Sequence, residues 1–174
     1  IAYNIPANIF RKHFGFEGWK DFDPNLWSKI KETSLEKENE YYGKITGSDN
    51  FQKAVRISRE NIQNALMYDN INVKNADLFE EKIEENTFVL FNPPYGERLT
   101  IETNKFYEEI GNTLKHKYEG CKIWIISSDI EKMKLIGLRP TKKIKIMNGN
   151  LECSFRMFEI YKGSKKQNKI KQNL

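Results

Sequence analysis

The stretch Thr87-Phe88-Val89-Leu90-Phe91-Asn92-Pro93-Pro94-Tyr95-Gly96 runs from strand-forming residues into a stiff, polar-tipped turn. The apolar run over 87–91 predicts a buried strand. Two successive prolines fix φ and remove two backbone donors, so their carbonyls have no helix or ladder to join. Asn92 adds a side-chain carbonyl, Tyr95 a ring face, and Gly96 lets the backbone bend sharply. The product is a rigid set of acceptors beside a stacking surface, suited to gripping a planar group that carries an NH₂. Asn-Pro also opens ordinary turns, so the flanking sequence has to separate the two readings.

From Lys44 onward that flanking sequence alternates strand and helix, the pattern of a parallel α/β sheet. Ile45-Thr46-Gly47 reads as a short strand ending at Ser48-Asp49. A helix follows, with Phe51, Val55, Ser58, Ile62, Ala65 and Leu66 at three-to-four spacing. Ile71-Asn72-Val73 predicts a second strand, leading to Asn75-Ala76-Asp77, and Thr87–Phe91 is the third. Phe106, Tyr107, Ile110, Leu114 and Tyr118 mark an amphipathic helix stopped by Gly120. Lys122–Ile126 is the fourth strand, after which Ser127-Ser128-Asp129 cap a short helix through Leu135. Two final strands, Lys142–Met147 and Leu151–Tyr161, flank Asn148-Gly149-Asn150, a hairpin signal.

The division expected is an aromatic-rich part over 1–43, a core over 44–161 and a basic tail over 162–174. Phe10, Phe14, Phe16, Trp19, Phe22 and Trp27 crowd an irregular stretch before a charged helix reaching about Asn39. Such clustering reads as a packed flap, while Arg11, Lys12 and Lys20 keep a base-stacking surface open. At 174 residues the chain has room for one domain with a core. No apolar run approaches the ~20 residues that span a bilayer, and the opening residues lack the pattern of a signal peptide. Cys121 and Cys153 show no metal or redox spacing, and His13 and His116 are the only histidines, so no metal site is expected. The expected compartment is the reducing cytoplasm. A net charge of +5 is compatible with nucleic acid without requiring it. Part of that charge lies in the tail, where Lys165 and Lys166 sit either in a solvated terminus or against phosphate.

Ligands of open α/β sheets bind beyond the carboxyl ends of the strands, and three strands here end in Asp49, Asp77 and Asn92. An acid at such an end typically accepts from a ribose diol, which fits Asp49. Asp77 could accept from an adenine amine, with Leu78 or Phe79 packed on the ring. Either aspartate alone is explained by a cap or a turn; their shared edge with Asn92-Pro93-Pro94-Tyr95 favours a common site.

Gly47-Ser48-Asp49, Asn75-Ala76-Asp77 and the run Asn92 to Leu99 (NPPYGERL) together resemble the class I S-adenosylmethionine-dependent methyltransferases of exocyclic amines. Asn148 to Cys153 (NGNLEC), Asn4-Ile5-Pro6 and Phe16-Glu17-Gly18-Trp19 narrow the resemblance to the THUMP-associated guanine-N2 RNA methyltransferases that modify 23S ribosomal RNA. It covers the chain apart from the lysine tail. The implied fold is a Rossmann-like sheet with a C-terminal antiparallel hairpin. The implied cofactor is S-adenosylmethionine, held by Asp49 on the ribose and Asp77 on the adenine amine. Asn92 and the Pro93 carbonyl would accept from the guanine NH₂ and Tyr95 would stack on the base. Arg98 would contact RNA phosphate, or pair with Glu97 or Glu102.

Two features depart from the family pattern. The glycine-rich cofactor loop and its strand are absent and belong upstream of Ile1, in the middle of the sheet, so the expected sheet lacks its first central strand. The chain is therefore expected to be the C-terminal portion of a longer protein, with a THUMP domain further upstream and weak cofactor binding by the segment alone. Asn50-Phe51 also stand where relatives often carry a second acid. Competing readings are a DNA adenine methyltransferase and an inactive RNA-binding remnant of the fold.

Overall fold

A computed structural model of the chain describes residues 2–6, 8–94 and 103–161. Tyr95, Arg98, Lys165 and Lys166 lie outside the described residues. The chain divides into two compact units, with the boundary between Asp77 and Leu78.

In the first unit, α1 spans Pro24–Leu35. Asp23 starts it: Oδ1 accepts from the Asn25 N–H at 2.8 Å and the Leu26 N–H at 3.1 Å, with Pro24 in the first turn. The helix stops short of the expected Asn39. The Thr33 and Ser34 hydroxyls donate back to the Lys29 and Ile30 carbonyls, a local competition that weakens a helix end. The chain beyond is then held elsewhere, with the Asn39 N–H donating to the Tyr3 carbonyl at 2.8 Å. Strands β1 (Ile45–Asp49) and β2 (Ile71–Asn75) pair in parallel, Ile45 opposite Ile71 and Asp49 opposite Asn75. Helix α2 (Gln52–Asn64) is the crossover between them, and Arg59 donates from both Nε and Nη2 to the Val73 carbonyl.

The α2 stripe is narrower than its spacing implies. Val55 is buried and Ser58 and Ile62 are half-buried, but Phe51 and Leu66 are 62% and 60% exposed. Both fall outside the helix. Phe51 is its N-cap, with its N–H on Asp49 Oδ1 at 2.7 Å, and Leu66 sits at φ 55° where the chain turns away.

In the second unit, four strands lie in the order β3-β4-β6-β5: Phe88–Phe91, Lys122–Ser127, Leu151–Glu159 and Lys142–Asn148. β3 and β4 are parallel, while β6 runs antiparallel to both β4 and β5. The β5–β6 hairpin closes through Gly149-Asn150, with Gly149 at φ 61° in the first loop position, where glycine costs least. The core gathers Tyr107, Ile110 and Leu114 of α3 (Thr103–Lys117) with Ile123 and Ile125 of β4 and Phe158 of β6. Gly111 lets α3 approach the backbone at Ile136: a Cβ there would lie 1.9 Å from the Ile136 carbonyl oxygen. The expected helix after Ser127 is only a 3₁₀ turn over Lys132–Lys134, and the Lys132 N–H donates to Asp129 Oδ1 at 3.2 Å just ahead of it.

The third strand corrects one expectation. Val89 and Phe91 pack against this core, whereas Phe88 is 64% and Leu90 60% exposed. Alternate side chains point to opposite faces, and the α3 core receives only one of the two sets. An apolar run alone does not distinguish a strand covered on one face from one covered on both. Among the described residues β1 pairs only with β2 and β3 only with β4, so β1, β2 and β3 each keep one edge unpaired. No described helix is long and apolar enough to cross a membrane.

Candidate functional site

The parallel register of β1 and β2 brings the chain around Asp49 and Asp77 together. The Asp49 backbone carbonyl accepts from the Ala76 N–H at 3.2 Å and from Asn75 Nδ2 at 2.9 Å, so the two strand ends are stitched at the carboxyl edge. One Asp49 carboxylate oxygen takes the Phe51 N–H and so begins α2. Its second oxygen makes no bond to a described residue, and the side chain is exposed. Asp49 is thus both a turn-former and an available acceptor. Asp77 is half-buried and already engaged within the protein.

In the second unit, Asn92-Pro93-Pro94 follow directly from the carboxyl end of β3. Pro93 is buried and anchors the turn, while Asn92 and Pro94 are exposed. The Asn92 amide forms no side-chain hydrogen bond among the described residues and is available to a ligand. Leu78 is half-buried against the core, and its carbonyl accepts from the Tyr118 hydroxyl at 3.3 Å. Phe79 is likewise half-buried against the core and stands edge-on to Phe106, with ring centroids 5.4 Å apart.

Two further polar residues at this end of the sheet escape a linear reading. Ser127, fully buried, shares a 2.9 Å hydrogen bond with the Tyr107 hydroxyl and accepts from the Asp129 N–H at 3.0 Å. It pins α3, the helix that follows the proline turn, to the carboxyl end of β4, the neighbour of β3. Arg156 is 6% exposed and donates to Ser154 Oγ and the Ile130 carbonyl. Burial pushes its guanidinium below the ordinary arginine value, against the opposing pull of the Glu131 charge. Strand alternation is the signal that could have found it, since Arg156 shares its face with buried Phe158. Among the described residues no group of three or more His, Cys, Asp or Glu is placed to hold a metal.

Residues 1–157 match the family model of the RMKL-like (UPF0020) methyltransferase domain. The chain belongs to this family. It is 32% identical over 169 residues to ribosomal RNA large subunit methyltransferase K/L of Shewanella amazonensis, covering 92% of this chain and 24% of that protein. It is also 32% identical over 168 residues to the protein of that name from Shewanella oneidensis, with the same coverage. The chain therefore spans about a quarter of the length of these curated relatives.

Two solved structures carry the similarity into three dimensions. SMU.472, described as a methyltransferase and solved in complex with SAH, superposes with a TM-score of 0.79 at 26% identity, over 93% of this chain and 44% of that one. A possible methylase from Clostridium difficile 630 superposes at 0.75 with 28% identity, over 89% and 42%. The mixed α/β fold, with parallel strands and a C-terminal antiparallel hairpin, is that of the class I methyltransferases.

Proposed function

We propose that the protein carrying this RMKL-like domain transfers a methyl group from S-adenosylmethionine to the exocyclic N2 amine of a guanine in large-subunit ribosomal RNA. The observation that carries the reading is the Asn92-Pro93-Pro94 turn: it follows the carboxyl end of a parallel strand, in a chain of a methyltransferase family, with its asparagine amide available. The donor set fits the cofactor, because Asp49 keeps an unbonded carboxylate oxygen at a strand end, where a ribose diol is ordinarily held. Asp77 accepts from the adenine amine and Leu78 packs on its ring.

When bound, S-adenosylmethionine supplies the methyl group as a sulfonium and departs as S-adenosylhomocysteine. The chain's own residues orient the acceptor. Asn92 Oδ1 and the Pro93 carbonyl hold the guanine NH₂ so that its lone pair faces the methyl, and they stabilise positive charge developing on nitrogen. The proton then leaves to solvent. Tyr95 stacks on the base, which must be unpaired or flipped to reach the turn. Arg98, Lys165 and Lys166 contact phosphate. Residues 44–161 form the methyltransferase core and 1–43 its aromatic-rich N-terminal part, while RNA selection draws on a THUMP-type domain elsewhere in a cytoplasmic protein.

Two substitutions test the reading in the intact protein. Asn92→Ala is expected to lower the methylation rate about a hundredfold or more and leave S-adenosylmethionine affinity near wild type. Asp49→Ala is expected to do the reverse, weakening cofactor binding in a calorimetric titration. Full turnover by the Asn92 variant would sink the assignment. Activity on duplex DNA but not on ribosomal RNA would move the target to an adenine amine.

A further inference from the structure

The aromatic segment before α1 is built as a platform. Phe14 and Phe16 stack, with centroids 5.3 Å apart and planes 23° from parallel. Trp27 of α1 stands edge-on to both, at 5.4 and 5.0 Å. Phe22 closes the cluster 6.0 Å from Phe16. On this base sits Trp19, in edge contact with Phe16 at 6.3 Å and yet 69% exposed. Its backbone is fixed on both sides: the Trp19 N–H donates to the Phe16 carbonyl at 3.0 Å, and the Trp19 carbonyl accepts from the Phe22 N–H at 3.2 Å. A large indole is thus held in place by its neighbours and offered to water, which is costly unless something covers it.

Cationic groups stand against the platform. The Arg11 guanidinium lies 5.5 Å from the Phe14 ring centroid and Lys31 Nζ lies 5.6 Å from that of Trp27. Lys12 and Lys20 flank the segment in sequence, and both are exposed. Of the nearby acids, Asp23 is occupied capping α1 and Glu17 lies 3.4 Å from His13 Nδ1, while Asp21 is exposed beside Lys20. An exposed, backbone-pinned indole among lysines and an arginine is the combination that binds unpaired nucleotides, a base on the ring face and phosphates on the cations.

We infer that Trp19 is a stacking platform for an unpaired RNA base, with Arg11, Lys12 and Lys20 as its phosphate contacts. This inference rests on RNA being the substrate, as proposed above, and adds a contact surface of this chain distinct from the proline turn. The test is fluorescence anisotropy of a labelled single-stranded oligoribonucleotide of mixed sequence with the intact protein, beside a duplex of the same length. Trp19→Ala is expected to weaken single-strand binding about tenfold, Trp19→Phe to recover most of that loss, and duplex binding to stay unchanged. Because the ring is largely exposed, the variants should keep the wild-type circular dichroism and melting temperature. Wild-type affinity in Trp19→Ala overturns the inference. So does equal recovery by Trp19→Leu, which would mean that apolar area, as in a protein contact, is what matters. Cofactor binding measured on the same samples separates the two proposals: a wild-type protein that stacks RNA but neither binds S-adenosylmethionine nor methylates would retain the platform and lose the proposed activity.

Discussion

The two units differ sharply in how they are held together. Among the described residues, the second unit buries Tyr107, Ile110, Leu114, Ile123, Ile125 and Phe158 to 1% exposure or less, while Val55, at 3%, is the one fully buried apolar side chain of the first. The first unit exposes Trp19, Tyr42, Phe51, Leu66 and Tyr68, and the second exposes Phe88 and Leu90 beside its core. A two-stranded sheet with one crossover helix has too little surface to enclose a core, whereas four strands and a long helix have enough. The second unit carries its stability internally. The first relies on an aromatic cluster, caps and backbone hydrogen bonds, and its apolar surface is offered outward.

Substitution in the two cores probes that contrast most strongly. Phe158→Ala should destabilise the second unit by about 3–5 kcal/mol, seen as faster amide exchange throughout β4 and β6. Val55→Ala should cost only about 1–2 kcal/mol, with exchange accelerated in α2 and β1 alone. Faster exchange in both units from either substitution would show that they unfold as one.

Buried polar pairs sharpen the comparison at a smaller scale. Tyr107→Phe removes the enclosed hydroxyl pair with Ser127 and should cost about 1–1.5 kcal/mol in chemical denaturation. Tyr3→Phe removes the partly buried acceptor of Asn70 Nδ2, 2.9 Å away, and should cost about 0.5 kcal/mol or less, since water can replace it. Reversal of that order would mean that the first unit is drier than its exposure indicates.

Surface ion pairs should not distinguish the units. Lys145 Nζ and Glu152 meet across the hairpin at 2.6 Å, and Arg56 and Glu60 along α2 at 3.7 Å, all well exposed. Lys145→Ala and Arg56→Ala should each shift stability by less than about 0.5 kcal/mol. A larger shift in either, measured at two salt concentrations, would reveal a charge network beyond the pair.

Much of this organisation was legible in the residues. Strand positions, the Gly149 hairpin, the α3 stripe and the three strand-end residues Asp49, Asp77 and Asn92 all follow from local chemistry: side-chain period, turn-forming residues and caps. Locally competing interactions blurred the edges. The hydroxyls of Thr33 and Ser34 shorten α1, and the Asp49 bond to the Phe51 N–H leaves Phe51 outside α2. The exposure of Trp19 beside the packed Phe16–Trp27 pair was not legible in the sequence, because it depends on which neighbours pack around the ring.

The sequence by itself determined the element order, the parallel strand character, the proline turn after β3 and, through its motifs, membership of the methyltransferase family. These depend on residues near one another in the chain. The tertiary structure alone decided that β3 is covered on one face, that Ser127 and Arg156 are enclosed, and that the buried core lies in the second unit. Burial is a property of what packs from a distance: an apolar period shows which face can be covered, and only the fold shows whether it is.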